Sequence, residues 1–459
     1  MPMSTLSERK PEHPVSCSNS SQPAAKMATS SIERHKFIPG VGWGNCGSRE
    51  REAIIRRHVA HSCGGRRRGM MTPAKWASSW TRGLIKGLSR HVPRSTRGGR
   101  LMESVKAADA PQLNAIACST AMRRYVLQVN RSMFGPRLRR EFLDVVVRER
   151  VQELNLESKL ALATNLSPKS ANDRAVLKTL LLSTSGHELT CLKRGIDLSQ
   201  RYTVVDCARL FEPDDLEQIF DHISKQETAP EDERPILAIS DIDDTLYASI
   251  HDRSFPARVL YPGMTTFLRA LAQRPGGGVV FLTARPRAVT LFTHKQLERM
   301  GVETSTVVSG SFFHLASHAQ MAALKFESFT SLEKFYPEFR FVFVGDSGQG
   351  DVRLAEMMLK SSSHVKLVLI HDVVSKQNVY KTPADKRAQL RSSAILVFDS
   401  YLEAAVESLK AGLIDRSSVV EIQEVIQHEL ARCKPMKDGF LEARLQEFDR
   451  AKQLAKDYV

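Results

Sequence analysis

The chain lacks the features that would place it in an oxidising compartment or inside a bilayer. Its seven cysteines (Cys17, Cys46, Cys63, Cys118, Cys191, Cys207 and Cys433) are scattered, with no Cys-x-x-Cys pair. That argues against a disulfide frame or a zinc site and for free thiols under reducing conditions. No apolar run approaches the roughly 18–20 residues of a membrane span. No apolar stretch follows the first Met, so a secretory signal peptide is not expected. Acidic residues are missing altogether between Glu52 and Glu103. Residues 1–100 hold 19 Lys/Arg against 5 Asp/Glu, which is +14 of the net +15, so the remaining 359 residues are close to neutral. The basicity belongs to one segment, and the body offers no case for a nucleic-acid groove.

What is present divides the chain. At 459 residues with 42% hydrophobic composition, two or three domains and a substantial core are expected. The first 60 or so residues are rich in Ser, Pro and Gly without periodicity, and disorder is the expectation. Within 74–90, Trp76, Trp80, Leu84 and Leu88 recur at four-residue steps among Lys75, Arg82, Lys86 and Arg90. As a helix this would be amphipathic and suited to an anionic membrane surface, although Gly83 and Gly87 weaken it. A disordered basic tail and an organelle-targeting peptide are the other two readings of residues 1–100. They set the expected location: cytoplasmic and peripheral to a membrane, or mitochondrial or plastid if the segment is a transit peptide.

Residues 104–230 read as a helical accessory domain without a chemical constellation. Ser185-Gly-His-Glu188 has the form of a capping box opening a helix with Leu189, Leu192 and Ile196 on one face. Leu216, Ile219, Phe220 and Ile223 mark another helix, and the charged run 226–234 suits a linker.

From Pro235 the pattern alternates. Apolar runs at Ile236–Ile239, Val279–Leu282, Thr306–Val308, Phe341–Val344, Val365–Ile370 and Ile395–Phe398 are too continuous for half-exposed strands. They predict a parallel sheet covered on both faces, hence an α/β, doubly wound domain over 235–400. Helices are expected at Met264–Ala272 and Ala288–Met300, and Gly276-Gly277-Gly278 as the turn between a helix and a strand. Residues 401–459 are expected to form C-terminal helices packed on the sheet edge, then a charged terminal helix.

Ligands bind such sheets outside the carboxyl ends of the strands, and four candidate elements fall there or just before the last of these strands. The first run ends in Asp241-x-Asp243-x-Thr245. Two outward carboxylates at the end of a buried strand are costly to desolvate and repel one another, which Mg²⁺ would relieve. The second run ends at Thr283, a hydroxyl able to hold a phosphate oxygen. Lys325 would neutralise phosphate charge. The fourth element is Gly345-Asp346-Ser347-Gly348-Gln349-Gly350-Asp351, whose two carboxylates would complete a metal site. His251, His294, His314 and His318 have no metal-ligand spacing. Arg285 and Arg287 fit either contact with an anionic substrate or a solvated loop.

The order and spacing of these four elements match the motifs of the haloacid-dehalogenase superfamily. Asp-Ile-Asp-Asp-Thr, Leu-Thr-Ala-Arg-Pro, Lys325 and Gly-Asp-Ser-Gly-Gln-x-Asp together resemble the catalytic domain of the fungal actin-patch phosphatidate phosphatase family, over about residues 235–400. The resemblance implies Mg²⁺-dependent conversion of phosphatidate to diacylglycerol. It implies Asp241 as nucleophile, Asp243 as general acid and base, and Thr283 and Lys325 as phosphate holders. It also implies Asp241, Asp243, Asp346 and Asp351 around the metal, and a phospholipid substrate at an anionic membrane surface. No SH3-ligand proline tract is present, so a cytoskeletal role does not carry over. The gaps after Asp241 and Thr283 are used up by sheet and helix, so no large cap is expected. A protein or small-molecule phosphatase of the same mechanism, and a non-catalytic membrane-associated module, are the alternatives.

Overall fold

The computed structural model describes residues 94–119, 135–249, 252, 255–302, 306–310, 317–348, 350–373, 382–433 and 440–458. The readings placed on residues 1–93, including the Trp76/Trp80/Leu84/Leu88 stripe, and those on His251, His314 and Gln349, lie outside them.

Six strands form one all-parallel sheet: β1 (Ile236–Ser240), β2 (Gly278–Pro286), β3 (Thr306–Gly310), β4 (Arg340–Asp346), β5 (Val365–His371) and β6 (Ile395–Phe398). Their order is β3-β2-β1-β4-β5-β6. Each of the six apolar runs in the sequence is a strand. The chain builds outward from β1 in one direction, then returns to its other side at β4. The crevice between the carboxyl ends of β1 and β4 is therefore the topological switch point, where open α/β sheets bind ligands.

The two-residue period of a strand sends alternate side chains to opposite faces, and two cores result. Leu237, Ile239, Val280, Leu282, Phe341, Phe343, Val368 and Ile370 enter one core. Ile236, Ala238, Phe281, Val342, Val344, Leu367 and Leu369 enter the other. Both faces are apolar, so both need covering.

The helical region covers the first. It comprises α1 (Arg94–Ala107), α2 (Ala110–Cys118), α3 (Gly135–Leu143), α4 (Leu156–Ala163), α5 (Ala171–Leu182), α6 (Gly186–Leu198), α7 (Val204–Ala208) and α8 (Pro213–Ser224). Val105, Phe142, Leu177, Leu192, Ile196 and Ile219 of these helices share a continuous core with the sheet. Polar contacts fix the junction. On α6, Lys193 Nζ donates to Glu338 Oε1 at 2.8 Å, and Asp197 Oδ2 accepts from the Tyr336 hydroxyl at 2.8 Å. Inside the region, buried Arg139 and Asp173 form a two-pronged pair at 2.6 and 2.7 Å.

The expected capping box at α6 does not form. Ser185 makes no side-chain capping bond; Gly186 turns the chain at φ +53°, and its N–H donates to Gln226 Oε1 at 2.8 Å. The left-handed turn leads the chain into the helix without the Ser185 hydroxyl, and the amide finds its acceptor on the segment after α8.

α9 (Met264–Leu271), α10 (Thr290–Arg299, preceded by a 3₁₀ turn at Arg287–Val289), α11 (His318–Phe335), α12 (Asp351–Ser361) and α13 (Ala384–Ser392) connect the strands. α14 (Tyr401–Lys410), α15 (Arg416–Ala431) and α16 (Phe440–Lys456) follow β6. They were expected on the sheet edge. Instead Leu402, Ala405, Val406, Ile422, Ile426 and Phe448 join α9 in the second core and cover the face that the helical region leaves open. Among the described residues no helix is long and apolar enough to cross a membrane.

Candidate active site

Asp241 continues the ladder past the end of β1: its N–H donates to Val344 O of β4 at 3.0 Å. This places its carboxylate at the switch point, with only 2% of the residue exposed. Beyond it the chain doubles back. Asp244 adopts φ +58°, a conformation that Asp tolerates better than most residues. Its Oδ1 accepts from the N–H of Ser249 at 2.7 Å, and Tyr247 bridges to Leu260, so a short flap closes over the end of β1.

Asp346 ends β4, and Asp351 opens α12 five residues later. Both are fully buried. The Gly348 N–H donates to Asp346 Oδ1 at 2.7 Å, turning the loop back toward the sheet. Gly345 is needed for close approach: a Cβ there would meet Asp351 Oδ2 at 2.6 Å. Lys325 projects from α11 into the same place. Its Nζ lies 2.9 Å from Asp241 Oδ1 and 2.6 Å from Asp351 Oδ1.

Carboxylate oxygens of Asp241, Asp346 and Asp351 lie within 4.8 Å of one another. Three buried carboxylates share one ammonium, which leaves a deficit that a divalent cation fits, and an all-carboxylate donor set suits a hard one. The electrostatics show the same imbalance. Burial pushes Asp241 up to about 7, with Lys325 opposing and Asp351 and Asp243 adding to the rise. Burial, then Asp351 and Asp241, hold Asp346 well above the usual carboxylate range. Burial works against the charge on Lys325, but Asp241 and Asp351 outweigh it and raise its pKa.

The other sequence-predicted residues surround this cluster differently. Thr283 is buried in β2, three residues before its end, where its Oγ1 accepts from the Arg285 N–H at 3.2 Å and the register to β3 begins to shift. The Asp243 carboxylate does not belong to the close acidic group. Arg285 grips it, with Nη2 to Oδ1 at 2.7 Å and Nε to Oδ2 at 2.9 Å, and Ser249 Oγ donates to Oδ1 at 2.6 Å. Arg285 also donates to the Tyr247 hydroxyl at 2.6 Å, and that hydroxyl accepts from Gln296 Nε2 at 3.0 Å. Of the two readings open for Arg285, neither anticipated this contact. Its signal was the strand period, which sets Thr283 and Arg285 on the same side of β2. Arg287 pairs with Asp206 of the helical region at 3.0 Å. His371, not singled out in the sequence, ends β5 buried, stacked on Phe398 at 5.3 Å. His294 is buried on α10, and His318 is exposed at the start of α11.

The fold and site thus define an α/β protein with a buried acidic cluster and a lysine at the switch point of a doubly wound sheet. Residues 236–372, about three tenths of the chain, match the family described as phosphatidate phosphatase APP1, catalytic domain. The match runs from the first residue of β1 to the residue after β5 and contains every member of the cluster. It bears out the resemblance read from the motifs and the coarse class, a phosphatase-type catalytic domain. No curated protein matches the chain.

Proposed function

We propose that this chain is a Mg²⁺-dependent phosphatidate phosphatase that works through an aspartyl-phosphate at Asp241. The observation that carries the reading is the convergence of Asp241, Asp346, Asp351 and Lys325 inside the segment that matches a phosphatidate phosphatase catalytic domain. Mg²⁺ held by the three carboxylates would mask the charge of the phosphate oxygens, which otherwise repels an anionic nucleophile. Lys325 adds a fixed positive charge at the same point, and the Thr283 hydroxyl takes a further phosphate oxygen.

Asp241 attacks phosphorus in line. A bond forms between its carboxylate oxygen and phosphorus, and the bond from phosphorus to the glycerol oxygen breaks. Asp243 delivers a proton to that oxygen, then withdraws one from the water that opens the aspartyl-phosphate and returns Asp241. Arg285 binds both Asp243 oxygens and favours the ionised form, so this pair must open for Asp243 to take up the proton it delivers, and it can re-form around the carboxylate once the proton has gone. The described segments joining β1 to β2 and β2 to β3 carry α9 and α10 and no inserted domain. That openness favours a substrate presented from a surface, here a phospholipid in an anionic membrane.

The test is phosphate release from phosphatidate in mixed micelles, from phosphopeptides and from sugar phosphates, each with Mg²⁺ or with EDTA. Phosphatidate should be hydrolysed best, only with Mg²⁺, and Asp241→Asn should lower turnover by several orders of magnitude. Hydrolysis of phosphopeptides or sugar phosphates alone would move the reading to a protein or small-molecule phosphatase. An Asp241→Asn protein within tenfold of wild type would remove the nucleophile.

A further inference from the structure

Phe292 is 61% exposed, the most exposed large apolar side chain among the described residues, and Val289 one turn before it is 40% exposed. Isolated exposed hydrophobic residues are ordinary; the position of these two is not. They stand on the turn and helix that follow β2, past Thr283 and Arg285, at the carboxyl end of the sheet, the end that also carries the acidic cluster. The flap after β1 carries Val259, 42% exposed, next to exposed Arg258, and the Tyr247 hydroxyl joins this flap to Gln296 of α10 at 3.0 Å. Arg285 and Arg287 are paired with Asp243 and Asp206, so the exposed charges on α10 near Phe292 are Lys295 and Arg299 against Glu298. Lys295 and Arg299 are exposed, three and seven residues after Phe292, the spacing of one helix face.

We propose that this patch, Val289 and Phe292 with Lys295 and Arg299 of the same helix, is the surface by which the catalytic edge docks on an anionic lipid bilayer. Apolar side chains enter the acyl boundary while cations meet the headgroups, as in an interfacial helix. Docking through the start of α10 brings the end of β2, and with it the site, to the membrane plane. The inference rests on the reading that the substrate is a lipid phosphomonoester. It assigns the docking to the catalytic domain, independently of any contribution from residues 74–90.

The test uses the full chain, with Val289→Ser/Phe292→Ser as the variant. Two substrates share a headgroup: long-chain phosphatidate in phosphatidylcholine vesicles, and short-chain phosphatidate below its micelle concentration. The variant should lose about tenfold or more on vesicles at limiting lipid, and stay within about twofold on the monomer. Phe292→Trp should keep the vesicle rate. Equal rates for variant and wild type on vesicles would overturn the proposal. If the double variant also fails on the monomer, Lys295→Glu/Arg299→Glu decides, and an unchanged vesicle rate overturns the proposal. Pelleting with phosphatidylserine vesicles needs no turnover. Weaker pelleting by the variants supports the docking surface even if phosphatidate proves not to be the substrate.

Discussion

Lys325 is the side chain whose removal tests the charge logic of the site most directly. It is 4% exposed and touches two carboxylates, at 2.9 and 2.6 Å, that are themselves almost fully buried. Lys325→Met keeps the length and apolar stem and deletes the charge. Removing one partner of a buried ion pair costs about 3–5 kcal/mol, because an uncompensated charge stays behind. Here two carboxylates lose their common partner, which places the cost at the upper end. A domain has a total stability of only about 5–15 kcal/mol, so the metal-free variant should be close to unfolding near neutral pH. Protons can replace part of the lost charge, since Asp241 is already held up at about 7 by burial. The penalty should therefore shrink toward pH 5 and grow toward pH 8. A divalent cation can replace it too. The cluster then binds Mg²⁺ with one more uncompensated charge, so the rise in melting temperature from EDTA to excess Mg²⁺ should be larger in the variant than in wild type. Phosphatase activity should stay low even in Mg²⁺. Urea melts at pH 5, 7 and 8, each with EDTA and with Mg²⁺, read all of this. A variant within about 1 kcal/mol of wild type in EDTA at pH 8 would refute the reasoning, as would Mg²⁺ shifts of equal size. Lys334→Met, on the exposed side of the same helix, serves as the control.

Two further predictions probe the supports of the site. Gly345→Ala puts a Cβ 2.6 Å from Asp351 Oδ2 and 2.7 Å from Asp351 Cβ; it should cost about 1–3 kcal/mol in a thermal melt and reduce phosphate release at least tenfold, and wild-type values in both would show that α12 has room to retreat. Asp197 is held up to about 6, chiefly by burial against the hydrogen bonds from Val204 N–H and the Tyr336 hydroxyl, from an ordinary value near 3.8. A raised pKa means stability that is present below the unfolded value and lost as pH rises through the folded one. Asp197→Asn should therefore gain on wild type by up to about 3 kcal/mol between pH 4 and pH 7 and by no more above it; a difference independent of pH would contradict this.

The sheet was legible because its physical requirement is written along the chain. A strand covered on both faces must be apolar at every position, and runs such as Phe341–Val344 and Val365–Ile370 have no other easy use. Which helices cover each face was not legible. Leu192 and Ile196 announce an apolar stripe but not its partner, and only the structure shows them entering the core of Leu237 and Phe343. The same holds for Leu402 and Ile422, which read as edge packing and lie on the second face. The Ser185 box failed for a local reason: the glycine after it takes a left-handed turn, and three-residue spacing carries no information about φ.

The site divides along the same line. Residues at the carboxyl ends of adjacent parallel strands must be neighbours, so Asp241 after β1 and Asp346 at the end of β4 could be brought together by topology alone. Asp351 follows because the tight loop after Asp346 returns the chain to α12, with Gly345 leaving room for the carboxylate. Asp243 is different. Its carboxylate direction depends on a flap turned by the positive φ of Asp244 and on Arg285 reaching across from β2, two side-chain events that strand order does not dictate. Asp241-x-Asp243 looked like one pair with one purpose. The structure separates it into a carboxylate facing Lys325 inside the cluster and, two residues on, one held by Arg285 and Ser249. Without a cation the contrast favours a proton on Asp241, the group that burial raises to about 7. The roles proposed for Asp241 and Asp243 therefore require a divalent cation at the cluster to hold Asp241 ionised, and the Arg285 pair to open when Asp243 carries the proton.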